Sequence, residues 1–110
     1  MTSVRAKTAR AAWEAYQAPA FKKLASEVNP TTLRNLLAAS GEAEILEELF
    51  ILLEYQVGRK VLPAEFRDHL RDAINAQIKA NAAAGDDAQR LEVARSYLTH
   101  VTRLHRAIAK

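Results

Sequence analysis

Three prolines and three glycines divide this 110-residue sequence into stretches of helix length. Within those stretches, apolar residues recur every three to four positions, the period of an amphipathic α-helix, and no stretch shows the strict alternation of a β-strand. Proline clashes with the preceding helical turn and glycine tolerates the left-handed conformation that ends a helix, so both are expected at boundaries. The pattern predicts an all-α fold: a compact bundle of about five helices that forms a single domain over residues 1–110.

The same punctuation predicts where each helix begins and ends. Asn29 and Pro30 form a helix start, with the asparagine as N-cap and the proline in the first turn. Pro19 should break or kink the first helix, so that a short continuation follows it. Asp86 or Asp87 is expected to cap the final helix. The predicted helical stretches are 3–17 with its continuation 19–28, then 30–40, 42–57, 63–84, and the stretch that follows Gly85.

The stretch 42–57 is the most apolar part of the chain. Its leucine, isoleucine and phenylalanine side chains cover well over a third of the helix circumference. We therefore expect it to be the central helix of the domain, with Tyr55 in the core. Gly58 is expected to end this helix in the left-handed conformation that glycine adopts without a steric penalty.

Composition excludes several classes of protein. The chain has no cysteine, which rules out disulfides and thiolate zinc sites. Apolar residues make up 49% of the sequence, enough to bury a core. The first residues lack the unbroken apolar segment of a signal peptide, and no apolar run approaches the roughly 18 residues that span a membrane. We therefore expect a soluble, cytoplasmic protein with no membrane partner.

Charge is distributed unevenly along the sequence. The net charge is only +3, but the two ends of the chain are basic and the middle is acidic. No basic residue lies between Arg34 and Arg59, whereas five glutamates do: Glu42, Glu44, Glu47, Glu48 and Glu54. Such asymmetry indicates surfaces that meet different partners.

Residue patterns typical of catalysis are absent from the sequence. His100 and His105 are separated by about 140° on a helix, so they cannot bind one metal from one face, and the histidines are expected at surface or boundary positions. Asp68 and Asp72 each follow an arginine, which favours a solvated salt-bridge face over an acid–base pair. Neither a glycine-rich phosphate loop nor a nucleophile elbow occurs. We expect no enzymatic activity, cofactor, metal or small-molecule substrate.

The final helical stretch carries a row of cations. Arg95, Arg103, Arg106 and Lys110 fall within about 80° of one another on a helix, opposite an apolar face. The row spans about 22 Å, enough to follow several phosphates of a nucleic-acid strand. Thr99 and Thr102 lie beside it as potential hydroxyl donors. Because no aromatic residues interleave with these charges, phosphate contact without sequence reading is the expected mode. The alternative is that this basic face is solvated and its charge complements that of the acidic helix.

Three fragments, taken together, resemble one known family. They are "TTLRNLL" at 31–37, "LEYQVGRK" followed by "EF" within 53–66, and "ARSYLTHVTRLHRAI" at 94–108. In this order and at these spacings they are similar to the small helical subunit of type III-A (Csm) CRISPR effector complexes. The resemblance covers residues 28–108 and leaves residues 1–27 as an N-terminal helical extension.

The resemblance implies a non-catalytic all-α subunit that works in RNA-guided antiviral defence. Members of the family stack head to tail inside a ribonucleoprotein filament and line the groove that holds the guide RNA and its target RNA. The implied partners are therefore guide RNA, target RNA, other subunits of the effector complex and copies of the chain itself. The implied role is to stabilise the paired RNA through phosphate contacts, whatever its sequence.

Matching fragment to fragment identifies Arg34 and Arg59 as the arginines of the family pattern, with Lys60 beside Arg59. For Arg59 the alternatives are a charge favoured by the helix dipole or hydrogen bonds to helix-end carbonyls. For Arg34 the alternatives are a salt bridge to Glu27 or an inter-helix contact. The full set of expected RNA-binding residues is Arg34, Arg59, Lys60, Arg67, Arg71, Arg95, Arg103 and Arg106.

A second function fits the same sequence. The apolar excess of the stretch 42–57, for example Ile51 and Tyr55 among the glutamates, is also typical of a contact surface. The alternative to RNA binding is therefore a helical module for protein–protein interaction or homodimerisation that does not bind nucleic acid.

Overall fold

A computed structural model describes residues 3–82 and 85–108, and over these residues the chain is helical with no β-strand. Ala18 is extended (φ −77°, ψ 123°) directly before Pro19, so the first helix and its continuation are two separate helices. The all-α prediction is confirmed, with six helices in place of about five. They are α1 (Val4–Gln17), α2 (Pro19–Ala25), α3 (Pro30–Ser40), α4 (Leu46–Gly58), α5 (Ala64–Ala82) and α6 (Asp87–Ile108).

Side-chain caps fix the beginnings of α3 and α6. The Asn29 side-chain oxygen accepts a hydrogen bond from the Thr31 amide at 2.9 Å, as predicted for an N-cap. At α6, Asp86 Oδ1 accepts from the Gln89 amide (2.9 Å) and Gln89 Oε1 accepts from the Asp86 amide (3.0 Å). This reciprocal pair is a capping box, and it identifies Asp86 as the capping residue of the two candidates.

Helix α4 begins at Leu46 and not at Glu42, so the predicted start was wrong. Glu48 Oε1 accepts hydrogen bonds from the backbone amides of Glu44 (3.0 Å) and Ile45 (3.3 Å). The Glu48 carboxylate therefore satisfies two backbone amides that precede the helix. The chain bends at these two residues, Glu44 and Ile45. Residues 41–45 form the connection between α3 and α4 instead of a first helical turn.

Helix α4 ends at Gly58, as predicted, but Lys60 adopts the left-handed conformation (φ 63°) expected of the glycine. The Val61 amide donates to the Gln56 carbonyl (3.2 Å), and the Lys60 amide donates to the Val57 carbonyl (3.0 Å). These two bonds form a Schellman motif, in which the left-handed residue lies two positions beyond Gly58.

Helix α6, and not α4, lies at the centre of the bundle, since it packs against α1, α3, α4 and α5. Leu46, Leu49 and Leu53 form the buried stripe of α4. Tyr55 lies off that stripe and is 59% exposed, so its predicted core position was wrong. Tyr97 of α6 is one of the buried aromatic residues instead, and burial raises its pKa to about 12.

Two polar side chains of α6 bind the two ends of α3. Arg95 donates to the carbonyls of Ser40 (2.7 Å) and Ala43 (3.0 Å), while His105 Nε2 lies 2.6 Å from the Val28 carbonyl oxygen. Arg95 meets the C-terminal end of α3 and His105 meets its N-terminal end, so the two helices are antiparallel. The ten residue steps from Arg95 to His105 span about 15 Å, which matches the length of α3 at about 1.5 Å per residue.

His105 is buried (1% exposed), so the prediction that the histidines lie at surface or boundary positions was wrong for this residue. A carbonyl oxygen only accepts, so Nε2 carries the proton that bonds to Val28. The Tyr16 hydroxyl lies 3.2 Å from Nδ1 and supplies the second hydrogen bond. Nε2 is therefore the protonated nitrogen in this contact, and both ring nitrogens have a hydrogen-bonding partner.

We expect His105→Leu to lower the free energy of unfolding by about 2–4 kcal/mol, because the Val28 carbonyl is left buried without its donor and the Tyr16 hydroxyl keeps only the longer contact to the Val101 carbonyl (3.5 Å). Tyr16→Phe removes only one of these bonds and should cost about 1 kcal/mol. Urea denaturation followed by circular dichroism measures both variants. Equal losses would contradict the assignment of two hydrogen bonds to the imidazole.

We expect Lys60→Gly to raise the free energy of unfolding by about 0.5–1 kcal/mol, since glycine adopts a positive φ without the steric cost that a lysine incurs. Arg59→Gly is the matched control, because Arg59 has φ −80° and remains in the helical region. That control should lower the free energy of unfolding by up to about 1 kcal/mol. Thermal denaturation of the two variants should therefore give shifts of opposite sign.

Candidate nucleic-acid interface

The eight cations expected to bind RNA lie on four different elements. Arg34 is on α3, Arg59 and Lys60 follow α4, Arg67 and Arg71 are on α5, and Arg95, Arg103 and Arg106 are on α6. In one group the cation is already bonded to a carboxylate or a backbone carbonyl of the chain. In the other group the cation is exposed and forms no such bond with any described residue.

The two arginines of α5 are already paired with carboxylates. Arg67 contacts Glu54 at 2.7 Å and Asp68 at 3.0 Å, and Arg71 contacts Asp68 at 3.3 Å and Asp72 at 3.5 Å. The predicted salt-bridge face is therefore confirmed. Each guanidinium has an acidic neighbour, so the local positive field that a phosphate would meet is reduced.

Arg95 uses its charge to close the end of α3. Its Nε and Nη2 groups donate to two backbone carbonyls, and the side chain is half-buried. Hydrogen bonding to helix-end carbonyls was an alternative for Arg59, yet Arg95 is the residue that adopts it. Arg95 is therefore not the solvated residue of the alternative, and its predicted phosphate contact would compete with these two hydrogen bonds.

Arg59 and Lys60 are exposed at the C-terminal end of α4. The guanidinium carbon of Arg59 lies 5.7 Å from the centre of the Tyr55 ring, within range of a cation–π interaction. Arg59 is also the C-cap residue of α4, where the helix dipole favours a positive charge. Within the described part of the chain neither residue forms an ion pair.

Arg103 and Arg106 are exposed on a strip of α6 that lies between two neighbouring helices. On one side of the strip, Arg95 binds α3; on the other, the Ser96 hydroxyl lies 2.7 Å from the Thr8 hydroxyl of α1. Helical geometry places Arg103 and Arg106 between these contacts, within about 80° of Arg95. Over the residues that the structure describes, neither has a carboxylate partner.

The threonines beside this strip do not offer free hydroxyl protons. Thr99 donates to the Arg95 carbonyl (2.8 Å) and Thr102 donates to the Leu98 carbonyl (2.7 Å). The expectation that they act as hydroxyl donors was therefore wrong, because each bonds within its own helix. Lys110, the last member of the predicted row, lies outside the described residues.

Arg34 borders the same strip from α3. The antiparallel register, set by Arg95 and His105, places Arg34 level with the middle of α6, within about one helical turn of Arg103 along the axis. Ala39 lines the groove between α3 and α4, and Arg34 lies about 140° from Ala39, on the flank away from α4. Arg34 forms no ion pair with Glu27, both being described residues. Arg34, Arg103 and Arg106 constitute the α3–α6 cation cluster.

A second basic surface was not singled out from the sequence. Lys7 and Arg10 of α1 line a groove of about 300 Å³ together with Gln77 and Asn81 of α5, and Glu14 lies in the same groove. The excess of basic residues near the start of the sequence was the available signal. The sequence contained no information on which helix would form the opposite wall.

Comparison with known proteins identifies no relative. No protein-family model matches the chain, and neither a curated protein nor a solved structure is similar to it. Across residues 3–82 and 85–108, no group of three or more acidic or histidine side chains could hold a metal ion. None of the helices in those ranges combines the length and the apolar character needed to cross a bilayer.

We expect Arg95→Met to lower the free energy of unfolding by about 1.5–3 kcal/mol, because two helix-end carbonyls lose a charged donor. Arg103→Met and Arg106→Met are matched controls on the same helix, and each should change the free energy by less than about 0.5 kcal/mol. Urea denaturation of the three variants separates the structural arginine from the exposed ones. Similar losses in all three would show that Arg95 does not hold α3.

Proposed function

We propose that this chain is a non-catalytic RNA-bracing subunit of a type III-A CRISPR effector complex. It contacts the sugar–phosphate backbone of paired guide and target RNA through the α3–α6 cation cluster. The observation that carries this proposal is that Arg34, Arg103 and Arg106 are exposed and form no ion pair within residues 3–82 and 85–108. Helical geometry and the α3–α6 register put the three on the same side of this helix pair. Unpaired guanidinium groups held on packed helices suit phosphate binding, which needs fixed charges and no base contacts.

The placement of the three family-like fragments supports the same proposal. "TTLRNLL" lies on α3, "LEYQVGRK" runs over the end of α4, and "ARSYLTHVTRLHRAI" lies on α6. These three helices pack against one another, so the fragments form one unit in space. The neighbouring complex subunits and copies of this chain are the proposed protein partners, as the resemblance implies.

The eight proposed RNA contacts are not equivalent. Arg34, Arg103 and Arg106 form the primary set, and Arg59 with Lys60 forms a second exposed pair. Arg67 and Arg71 would have to exchange their carboxylate partners for phosphate, so their contribution should be smaller. Arg95 would have to exchange its hydrogen bonds to two backbone carbonyls for phosphate, so its direct contribution should be the smallest.

The alternative function, a helical protein-interaction or homodimerisation module, is supported by two exposed apolar side chains. Ile51 is 66% exposed and Tyr55 is 59% exposed, both on the outward face of α4. A gel shift separates the two functions: if RNA is not retarded at low salt even at high protein concentration, the interaction module is favoured. RNA binding through the α3–α6 cation cluster and a protein contact at Ile51 are nevertheless compatible, because they use different surfaces.

We expect the double variant Arg103→Glu/Arg106→Glu to bind a 20-base-pair RNA duplex at least about tenfold more weakly at 50 mM salt, because each lost phosphate contact removes counterion release. The matched control is Lys22→Glu/Lys23→Glu, which alters net charge equally on exposed positions of α2. Fluorescence anisotropy between 50 and 200 mM salt should show a shallower salt dependence for the α6 variant alone.

Two further results would decide against this interface. If both double variants weaken binding equally, net charge and not the α3–α6 cation cluster is responsible. If duplexes of unrelated sequence differ strongly in affinity, phosphate contact is not the mode of binding. Circular dichroism of each variant verifies that the helical fold is retained, so that a loss of affinity is not a loss of structure.

A further inference from the structure

The outward face of α4 is the most apolar exposed surface of the described chain. Ile51 and Tyr55 lie one turn apart on it. Two other large exposed apolar residues, Ile45 and Val61, lie directly before α4 and shortly after it, and Trp13 of α1 is the one exposed elsewhere in the described ranges. Clustering of this kind marks a contact surface, whereas single exposed apolar residues do not.

A groove of about 470 Å³ runs along this face, between α4 and the C-terminal end of α3. Its lining combines half-buried alanines and larger apolar side chains with exposed acidic ones. The lining residues are Ala39, Glu42, Ala43, Glu48, Ile51 and Leu52. A groove lined by alanines beside bulkier apolar residues can accept an inserted side chain.

The charged residues that line this groove and precede α4 are acidic. Glu42, Glu44, Glu47 and Glu48 are exposed, and none of the four forms an ion pair within the described residues. Glu48 is also held in place, because its Oε1 accepts hydrogen bonds from two backbone amides and its second oxygen is left for a partner. Pairing a fixed carboxylate with a cation loses less conformational entropy than pairing a mobile one, because the side chain is already ordered.

We propose that the groove and outward face of α4 dock a basic amphipathic helix from another protein. Leucine-sized side chains of that helix would lie on Ile51 and Tyr55 and enter the groove, while its lysines and arginines would lie opposite Glu47 and Glu48. An amphipathic helix in a hydrophobic groove is a common mode of recognition, and the 13 residues of α4 offer about 20 Å of contact length.

Other occupants fit this surface less well. A nucleic-acid strand would meet four uncompensated carboxylates. A two-fold dimer of this chain through antiparallel α4 helices would offer the four glutamates two cations, Arg59 and Lys60 of the other copy, and would leave half of the acidic charge unpaired. Head-to-tail contact with the α3–α6 cation cluster supplies the positive charge, but no large apolar residue among the described ones is exposed on that cluster to fill the groove.

The probe is an 18-residue fluorescein-labelled peptide with leucines on one helical face and lysines on the other, titrated with the whole chain at 50 mM salt. Ile51→Ser should weaken binding by about tenfold, as expected for the loss of a central apolar contact. Glu47→Gln/Glu48→Gln should weaken it by about fivefold, through the loss of two charge pairs. Glutamine at position 48 still caps the helix, so the fold is retained.

Glu92→Gln, on an exposed position of α6, is the control that removes a carboxylate elsewhere, and it should leave peptide affinity unchanged. A peptide with glutamates in place of the lysines should not bind. The proposal is overturned if the acidic peptide binds equally, if Ile51→Ser leaves the affinity unchanged, or if no binding is detected at 100 µM protein. It is also overturned if sedimentation velocity shows a dimer that Ile51→Ser dissociates, since the face would then bind its own copy.

Docking of a helix on α4 does not depend on RNA binding, and two variants test the two contacts separately. Arg103→Glu/Arg106→Glu should bind the basic peptide with unchanged affinity, whereas Ile51→Ser should bind the RNA duplex with unchanged affinity. Heteronuclear NMR of the peptide complex should place the largest amide shifts in α4 and in residues 39–43. Shifts confined to α6 would instead contradict the proposed location.

Discussion

The attachment of α3 to α6 by one arginine and one histidine is the interaction on which the rest of the structure depends. Arg95 supplies charged donors to carbonyls at and just beyond one end of α3, and His105 supplies a ring N–H to a carbonyl just before the other end. Apolar packing alone would tolerate sliding of one helix past the other. Two directional hydrogen-bonding groups about 15 Å apart permit only one register, in which both ends of α3 are satisfied.

That register decides which charges face outward together. With α3 fixed on α6, Arg34 is brought beside the exposed strip that carries Arg103 and Arg106. The opposite flank of α3, which includes Ala39, faces α4 and its acidic surroundings. A chain with a net charge of only +3 therefore presents one surface suited to phosphate and another suited to basic protein segments. The two proposed contacts follow from a single helix pairing.

Local signals in the sequence were sufficient for most helix boundaries. Asn29 and Pro30 start α3 through local effects, because a capping side chain or a first-turn proline acts over only a few residues. The ion pairs of Arg67 and Arg71 with Asp68 and Asp72 were predictable for the same reason. The start of α4 was not, because Glu48 bonds to amides in front of the helix, and a run of glutamates and apolar residues looks helical throughout.

Features that depend on tertiary contacts could not be obtained from one sequence. The helical period showed that Arg95 shares a face of α6 with Arg103 and Arg106. It did not show that the C-terminal end of α3 would lie against Arg95 and not against the other two. Tyr55 was assigned to the core because apolar side chains cover well over a third of the circumference of α4, and only the positions of the neighbouring helices decide which of them are buried. His105 likewise appeared polar and peripheral until Tyr16 and Val28 were placed beside it.

The central position of α6 also has a consequence for how the protein is made. Its residues 87–108 follow α1 and α3 by a long stretch of chain, yet the hydrogen bonds that join Thr8 to Ser96 and Val28 to His105 span 88 and 77 positions. During synthesis, the apolar faces of the earlier helices therefore stay exposed until α6 has left the ribosome and can pack against them. Until then, association with a chaperone or a neighbouring nascent chain competes with folding, and the speed of translation through the α5–α6 region sets the length of that exposure.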